Sequence, residues 1–121
     1  MSLITLDLFI RDINYWFARQ IHLKVEAMRP EPAIRDELDI GYTRENSRLE
    51  IFEIRPRWRD PSKIYHSPIA KATFVKSKSI WKLYWMRASM KWVSYQPHPE
   101  CNTVDEVFAV IKEDAKGCFF G

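Results

Sequence analysis

The stretch from Pro68 to Trp92 constrains the fold of this chain most strongly, because it holds two strand-like runs joined by a short polar turn. Successive side chains of a β-strand point to opposite faces of the sheet. Folding the two runs into a hairpin places six apolar side chains on one face: Ala70, Ala72, Phe74, Trp81, Leu83 and Trp85. The pattern therefore predicts an antiparallel hairpin with one buried face and one mixed basic and aromatic face.

The segments before this hairpin predict a helix and a second pair of strands. Apolar residues spaced by three and four predict an amphipathic helix from Thr5, its cap, to about Ala27. Its apolar stripe, expected to be buried, is Leu6, Phe9, Ile10, Ile13, Trp16, Phe17 and Ile21. Residues 37–44 and 48–55 then predict two strands joined by a turn at 45–47. Pro56 is expected to end the pairing, and residues 57–67 to form a loop.

The segments after the hairpin predict one short strand and a closing helix. Residues 92–95 form a candidate fifth strand. A helix is expected from Thr103 to about Lys116, with Thr103 as its cap and Glu106 at the capping-box spacing. Gly117 is expected to end it. Residues 1–121 are thus predicted to be a single α+β domain with an N-terminal helix, an antiparallel meander of four to five strands and a C-terminal helix.

Composition narrows the classes of protein to which the chain can belong. The net charge of +3 is modest, so binding to nucleic acid or another anionic partner is allowed and not required. No apolar run is long enough to span a bilayer, and the amino terminus does not resemble a secretory signal. Two cysteines, Cys101 and Cys118, cannot form a disulfide framework, although a single bridge between them stays open. A cytoplasmic protein without a membrane partner is expected.

Catalytic, metal and cofactor patterns are weak throughout the sequence. The three histidines share no ligand spacing with the two cysteines, so we predict no metal site. The three glycines do not form a phosphate-binding loop, so we predict no cofactor. Glu53 and Arg55, with Asp39 on the preceding strand, faintly resemble the carboxylate arrangement of metal-dependent nucleases. A cross-strand ion pair of Glu53 with an arginine is the more common role of such residues.

The mixed face of the hairpin is the strongest positive signal for function. Lys71, Lys82 and Arg55 are candidates to contact phosphates, while Tyr84 and Trp58 offer planes on which bases can stack. Basic groups beside exposed aromatic rings are the two ingredients of sequence-tolerant single-strand binding. The alternative role of the lysines is to cover aromatic rings with their aliphatic stems on a solvated face.

Several separate motifs lie along the chain at residues 29–42, 53–61, 68–75, 81–87, Lys91-Trp92 and 117–121. Together they resemble a family of small bacterial proteins catalogued as a domain of unknown function, number three thousand and twenty-four of that series. The resemblance implies a free-standing bacterial cytoplasmic protein and carries no established activity or catalytic residues. This chain has Ser89-Met90 and Val93 where similar sequences usually have Asp-Leu and His.

The sequence favours a non-enzymatic binding domain that contacts nucleic acid or another anionic partner through Arg55, Trp58, Lys71, Lys82 and Tyr84. One alternative is a small metal-dependent hydrolase or nuclease centred on Glu53, with Arg55 and Lys71. Another is a structural or protein-interaction module, with a homodimer formed through the aromatic sheet face.

Overall fold

The computed structural model describes residues 3–120, with side chains from residue 16 onward. Two α-helices and six strands follow one another along the chain: α1 Leu3–Met28, β1 Asp39–Glu45, β2 Arg48–Pro56, β3 Ile64–Val75, β4 Ile80–Met86, β5 Trp92–Ser94, β6 Glu100–Cys101 and α2 Val104–Glu113. A short 3-10 turn at Pro32–Ile34 joins α1 to β1. Among the described residues, neither helix is long and apolar enough to cross a membrane.

The strands form one antiparallel sheet in the meander order β1-β2-β3-β4-β5, with the two-residue β6 beside β4. The predicted hairpin is confirmed, because Ala70 pairs with Trp85, Ala72 with Leu83 and Phe74 with Trp81. The α+β class, the two helices and the meander are therefore confirmed. The sheet has one strand more than predicted, because Cys101 pairs with Trp81 after the break at residues 97–99.

The two faces of the sheet differ in burial. We call the face that packs against both helices the inner face. Its buried residues and those of the helices form one core: Ile21, Val25, Leu49, Ile51, Ala70, Ala72, Trp81, Leu83, Val107, Phe108 and Ile111. We call the opposite face, which includes Glu50, Phe52, Lys71, Lys82 and Tyr84, the outer face. Every described side chain on the outer strand positions keeps some contact with solvent.

β3 begins at Ile64, so the predicted loop at 57–67 is too long by four residues. Pro68 was predicted to follow the loop directly, yet it lies inside β3 opposite Phe52. The register between β2 and β3 shifts at this point, which is the signature of a β-bulge. A bulge tolerates proline because the ladder is already locally broken there.

The C-terminal helix is confirmed at its start and ends earlier than predicted. The Thr103 side chain accepts a hydrogen bond from the Glu106 backbone N–H at 3.1 Å. α2 ends at Glu113 because Asp114 takes a left-handed conformation with φ of 46°, three residues before Gly117. The Asp114 carboxylate accepts the backbone N–H groups of Phe119 and Phe120, which fixes the chain after the turn.

The apolar stripe of α1 is only partly buried. Ile21 and Val25 lie in the core, whereas Trp16 is 55% exposed and Phe17 is also exposed. The prediction that both aromatic residues are buried is therefore wrong, because the described part of α1 meets the core through Ile21 and Val25. α1 begins at Leu3, before the predicted cap Thr5, and the side chains of Thr5, Leu6, Phe9, Ile10 and Ile13 lie outside the described part.

A bidentate ion pair fixes the end of α1 against the start of the sheet. Arg29 donates from Nε and Nη2 to the two carboxylate oxygens of Asp39, both at 2.9 Å. Asp39 also accepts the backbone N–H of Ile40. Hydrogen bonding from the Arg29 side chain holds the pKa of Asp39 below its ordinary value, although partial burial opposes this shift.

We expect Asp39→Asn to lower the free energy of unfolding at neutral pH. Because the pKa of Asp39 is lower in the folded than in the unfolded chain, the carboxylate stabilises the fold above its ordinary pKa. This contribution disappears as the pH falls through the folded-state value. Urea denaturation should thus show a difference between wild type and variant at pH 7 that decreases once the pH falls below the ordinary aspartate pKa of about 4. The control, Asp36→Asn, removes an exposed carboxylate nearby and should change the free energy of unfolding little. A loss of stability in Asp39→Asn that does not depend on pH would contradict this account.

Candidate functional site

Lys71 and Tyr84 lie side by side on the outer face, as the sequence predicts. They are direct partners in the β3–β4 register. The Lys71 ammonium lies 4.6 Å from the centre of the Tyr84 ring and 5.3 Å from that of Trp92. Both distances are within the range of cation–π attraction. Lys71 thus lies beside two aromatic rings that themselves remain partly exposed.

The charges elsewhere on the outer face are balanced. Lys82 pairs in register with Thr73 on one side and Glu100 on the other. Arg48 lies 3.5 Å from the Glu45 carboxylate and 3.7 Å from that of Glu50. Acidic residues therefore alternate with basic ones, and this face alone does not form a strongly positive surface.

A small aromatic stack occupies the β2–β3 part of the outer face. The Phe52 and His66 rings are nearly parallel, with centroids 4.3 Å apart. Phe52 also lies over Gly41, where an added Cβ would come within 2.8 Å of its ring. Gly41 therefore allows the Phe52 ring to lie flat against β1, because a larger residue would displace it.

Arg55 does not share a face with the other strand residues of the predicted site. It follows Leu49, Ile51 and Glu53 in the alternation of β2, which places it on the side of the inner face. Its Nε donates to the Glu53 carboxylate at 2.7 Å. The structure thus separates Arg55 from Lys71, Lys82 and Tyr84, and Arg55 is engaged by a carboxylate.

Trp58 lies in the connection between β2 and β3, residues 57–63, which we call the arginine–tryptophan loop. The loop is closed at its base by a hydrogen bond of 2.7 Å from the Arg57 N–H to the Lys63 carbonyl. Within it, the Asp60 carboxylate accepts from both the N–H and the hydroxyl of Ser62. Trp58 is 88% exposed, more than any other large apolar residue of the described side chains. The loop therefore exposes the Trp58 indole to solvent, while hydrogen bonds within the loop hold its backbone.

An open groove of about 800 Å³ runs beside this loop. Its lining combines basic and aromatic side chains with two acidic ones: Glu37, Arg55, Arg57, Trp58, Arg59, Asp60, Lys63 and Tyr65. Arg59 lies 5.5 Å from the centre of the Trp58 ring. Among the described side chains, neither Arg57 nor Arg59 has a carboxylate at ion-pair distance. The groove thus combines an exposed indole with two guanidinium groups that form no close ion pair with a described carboxylate.

The groups of the hydrolase alternative do not converge. Glu53 pairs in register with Ile40, whereas Asp39 pairs with Ile54, so the two acidic residues lie on opposite faces of the sheet. Each carboxylate is held by an arginine, Glu53 by Arg55 and Asp39 by Arg29. Lys71 lies on the outer face, away from Glu53. The structure therefore does not assemble Asp39, Glu53 and Lys71 around one position.

A second group of polar side chains, absent from the sequence-based site, meets where α2 begins. One ligand atom each of His98, Cys101 and Glu106 lies within 4.8 Å of the other two. His98 Nε2 is 2.8 Å from a Glu106 carboxylate oxygen, and the other oxygen accepts the Asn102 N–H at 2.7 Å. These bonds, led by that of Asn102, lower the pKa of Glu106. The spacing His-x2-Cys-x4-Glu was the signal available in the sequence.

The fold and these surfaces define a small α+β domain with one open sheet face and an exposed basic and aromatic loop. The chain belongs to the family described as Domain of unknown function (DUF3024), whose model matches residues 14–121. The resemblance noted from the sequence motifs is thereby confirmed. No curated protein and no solved structure shows significant similarity to the chain.

Proposed function

We propose that this domain binds single-stranded nucleic acid without catalysing a reaction on it. The arginine–tryptophan loop is the main contact, and Lys71, Lys82 and Tyr84 on the outer face are a second one. The observation that carries the proposal is the 88% exposed Trp58 in one groove with Arg57 and Arg59, neither of which has a described carboxylate at ion-pair distance. Stacking on an exposed ring together with phosphate neutralisation is the usual basis of binding that tolerates any sequence.

The exposure of Trp58 argues for a ligand because a large aromatic ring gains free energy when it is covered. Arg57 and Arg59 are suited to phosphate, since a guanidinium can donate two parallel hydrogen bonds to its oxygens. Tyr65, also exposed, lines the same groove and offers a second plane. These groups together fit a flexible strand of phosphates and bases better than a compact anion.

The outer face is a separate contact rather than a continuation of the groove. Lys71 and Tyr84 lie on the opposite side of the sheet from Arg55 and Tyr65, which line the groove. Along β3, Lys71 is roughly 23 Å from the loop, for seven residues at about 3.3 Å each. We assign Lys71 and Lys82 the weaker role, because Glu50 and Glu100 are their neighbours across the sheet. Arg55 supports the groove wall next to Arg57 rather than contacting phosphate, since Glu53 engages it.

Fluorescence anisotropy of a labelled oligothymidylate, titrated with the protein at several salt concentrations, tests the proposal. We expect a dissociation constant of about 10⁻⁴ to 10⁻⁶ M that rises with salt. The slope of log K against log salt should be about −1.4 if only Arg57 and Arg59 contact phosphates. It should be about −2.8 if Lys71 and Lys82 contact them as well. Absence of binding at low salt would contradict the proposal.

The same samples separate the other two functions. Cleavage of the oligonucleotide that requires a divalent ion and disappears in Glu53→Gln would favour a nuclease. A stable dimer on sizing chromatography without any oligonucleotide binding would favour an interaction module. The proposal assumes a bacterial cytoplasmic protein, in keeping with the two cysteines, which are both free in the structure.

We expect Trp58→Ala to weaken oligonucleotide binding by about 1 to 3 kcal/mol, the contribution of one stacked base. Its effect on the free energy of unfolding should stay within about 0.5 kcal/mol, because the indole is almost fully exposed. Anisotropy and urea denaturation of the same preparation measure both quantities. Trp58→Phe, which keeps an aromatic plane, should retain most of the affinity. Equal affinity of wild type and Trp58→Ala would show that the indole does not stack on a base.

A further inference from the structure

We propose that His98, Cys101 and Glu106 form a binding site for a zinc ion, independent of the proposed nucleic-acid contacts. The three side chains supply one nitrogen, one sulfur and one oxygen ligand, all within 4.8 Å of one another. Zn²⁺ is bound tetrahedrally by such donors, with bonds of about 2.0 to 2.3 Å. Tetrahedral geometry then requires ligand atoms about 3.3 to 3.5 Å apart. The site therefore reaches zinc geometry through side-chain movements of about 1 Å.

The backbone around the three residues is already fixed. β6 pairs Cys101 with Trp81, and the Leu83 N–H donates to the Pro99 carbonyl at 3.0 Å. The His98 N–H donates to the Tyr95 carbonyl, and Glu106 lies in the first turn of α2. A metal would thus meet ligands held by the sheet and by the helix start, and only side-chain rotamers would have to change.

The donor set selects the class of metal. A thiolate with an imidazole favours zinc and similar transition metals, whereas magnesium and calcium require oxygen ligands. The Glu106 carboxylate and the Cys101 thiolate together balance the two positive charges of the ion. Their negative charges also counteract the repulsion between the metal ion and the positive end of the α2 helix dipole. Calcium and magnesium should therefore not compete at this position.

The three ligands fill three of the four tetrahedral positions, and they differ in how far they are exposed to solvent. Cys101 is only 1% exposed, whereas the side chains of His98 and Glu106 are 40% and 33% exposed. The ion would rest on the buried sulfur with its fourth position towards solvent, as in zinc sites that hold a water molecule. Burial raises the pKa of the Cys101 thiol to about 11, so zinc has to displace a proton from it.

Titration of the tag-free, reduced protein with Co²⁺, a spectroscopic substitute for Zn²⁺, tests this site. We expect one Co²⁺ per chain, with a thiolate-to-cobalt charge-transfer band that Zn²⁺ abolishes by competition. Cys101→Ser should lose the band, whereas Cys118→Ser should keep it. His98→Gln and Glu106→Gln should each weaken binding about tenfold or more. Glu106→Gln is a clean test, because glutamine still serves the capping interaction with the Asn102 N–H.

Circular dichroism shows whether each variant is folded. If Cys101→Ser does not fold, the comparison of wild type with His98→Gln decides whether these side chains bind the metal. Lack of a charge-transfer band in the wild type would overturn the proposal. So would a band that persists in Cys101→Ser, or equal affinity of wild type and His98→Gln. As a control, His66→Gln alters a histidine on the outer face and should leave Co²⁺ binding unchanged.

Discussion

Reversal of two charges in the arginine–tryptophan loop, Arg57→Glu with Arg59→Glu, is expected to lower oligonucleotide affinity about tenfold or more at low salt. Each glutamate removes a phosphate contact and adds repulsion at the same place. The salt dependence should also fall, by about 1.4 in the slope of log K against log salt. Anisotropy with the same labelled oligothymidylate measures both changes.

Two further double variants with the same change of formal charge serve as controls. Lys112→Glu with Lys116→Glu alters exposed lysines in and just after α2, and it should reduce affinity only slightly through the change in net charge. Lys71→Glu with Lys82→Glu should fall between these two variants, because both lysines have acidic neighbours. Equal losses in all three would show that only net charge matters, and the loop would not be a specific contact.

Leu83→Ala is expected to produce the largest loss of stability, about 3 kcal/mol. Leu83 is completely buried in β4, where it pairs with Ala72 on the inner face and contributes to the core beneath both helices. Truncation of a buried leucine removes favourable burial and leaves a cavity, which costs about 2 to 5 kcal/mol. A domain of this size is stabilised by only about 5 to 15 kcal/mol in total.

Urea denaturation should show a lower midpoint for Leu83→Ala with an unchanged slope. Leu23→Ala is the matched control, because Leu23 on α1 is 47% exposed and should cost less than about 0.5 kcal/mol. Similar losses at both positions would contradict the assignment of the inner face as the core.

The hairpin from β3 to β4 was predictable because strand alternation determines the face of every residue once the turn is placed. The predicted core residues Ala70, Ala72 and Leu83 are all buried. The start of β3 was not predictable, because a proline such as Pro68 is normally a reason to end a strand. Only the pairing with β2 shows that it occupies a bulge.

The candidate site was only partly predictable for a related reason. Alternation correctly places Lys71, Lys82 and Tyr84 on one face. The assignment of Arg55 to the same face was wrong, because Arg55 alternates in step with the buried Leu49 and Ile51 of β2. The exposure of Trp58 depends on how the loop leaves the sheet, which local sequence does not encode. His98, Cys101 and Glu106 come together because β6 pairs with β4. This tertiary contact cannot be predicted from a periodic sequence pattern.

Amide correlation spectra of the ¹⁵N-labelled protein, recorded as unlabelled oligothymidylate is added, test the central claim most directly. We predict shifts at residues 57–63, including the indole N–H of Trp58, and smaller ones around Lys71 and Tyr84. The indole N–H of Trp81, which is 9% exposed on the inner side, should stay in place. Shifts confined to α2, or a spectrum unchanged at an oligonucleotide concentration of about 1 mM, would contradict nucleic-acid binding through the arginine–tryptophan loop.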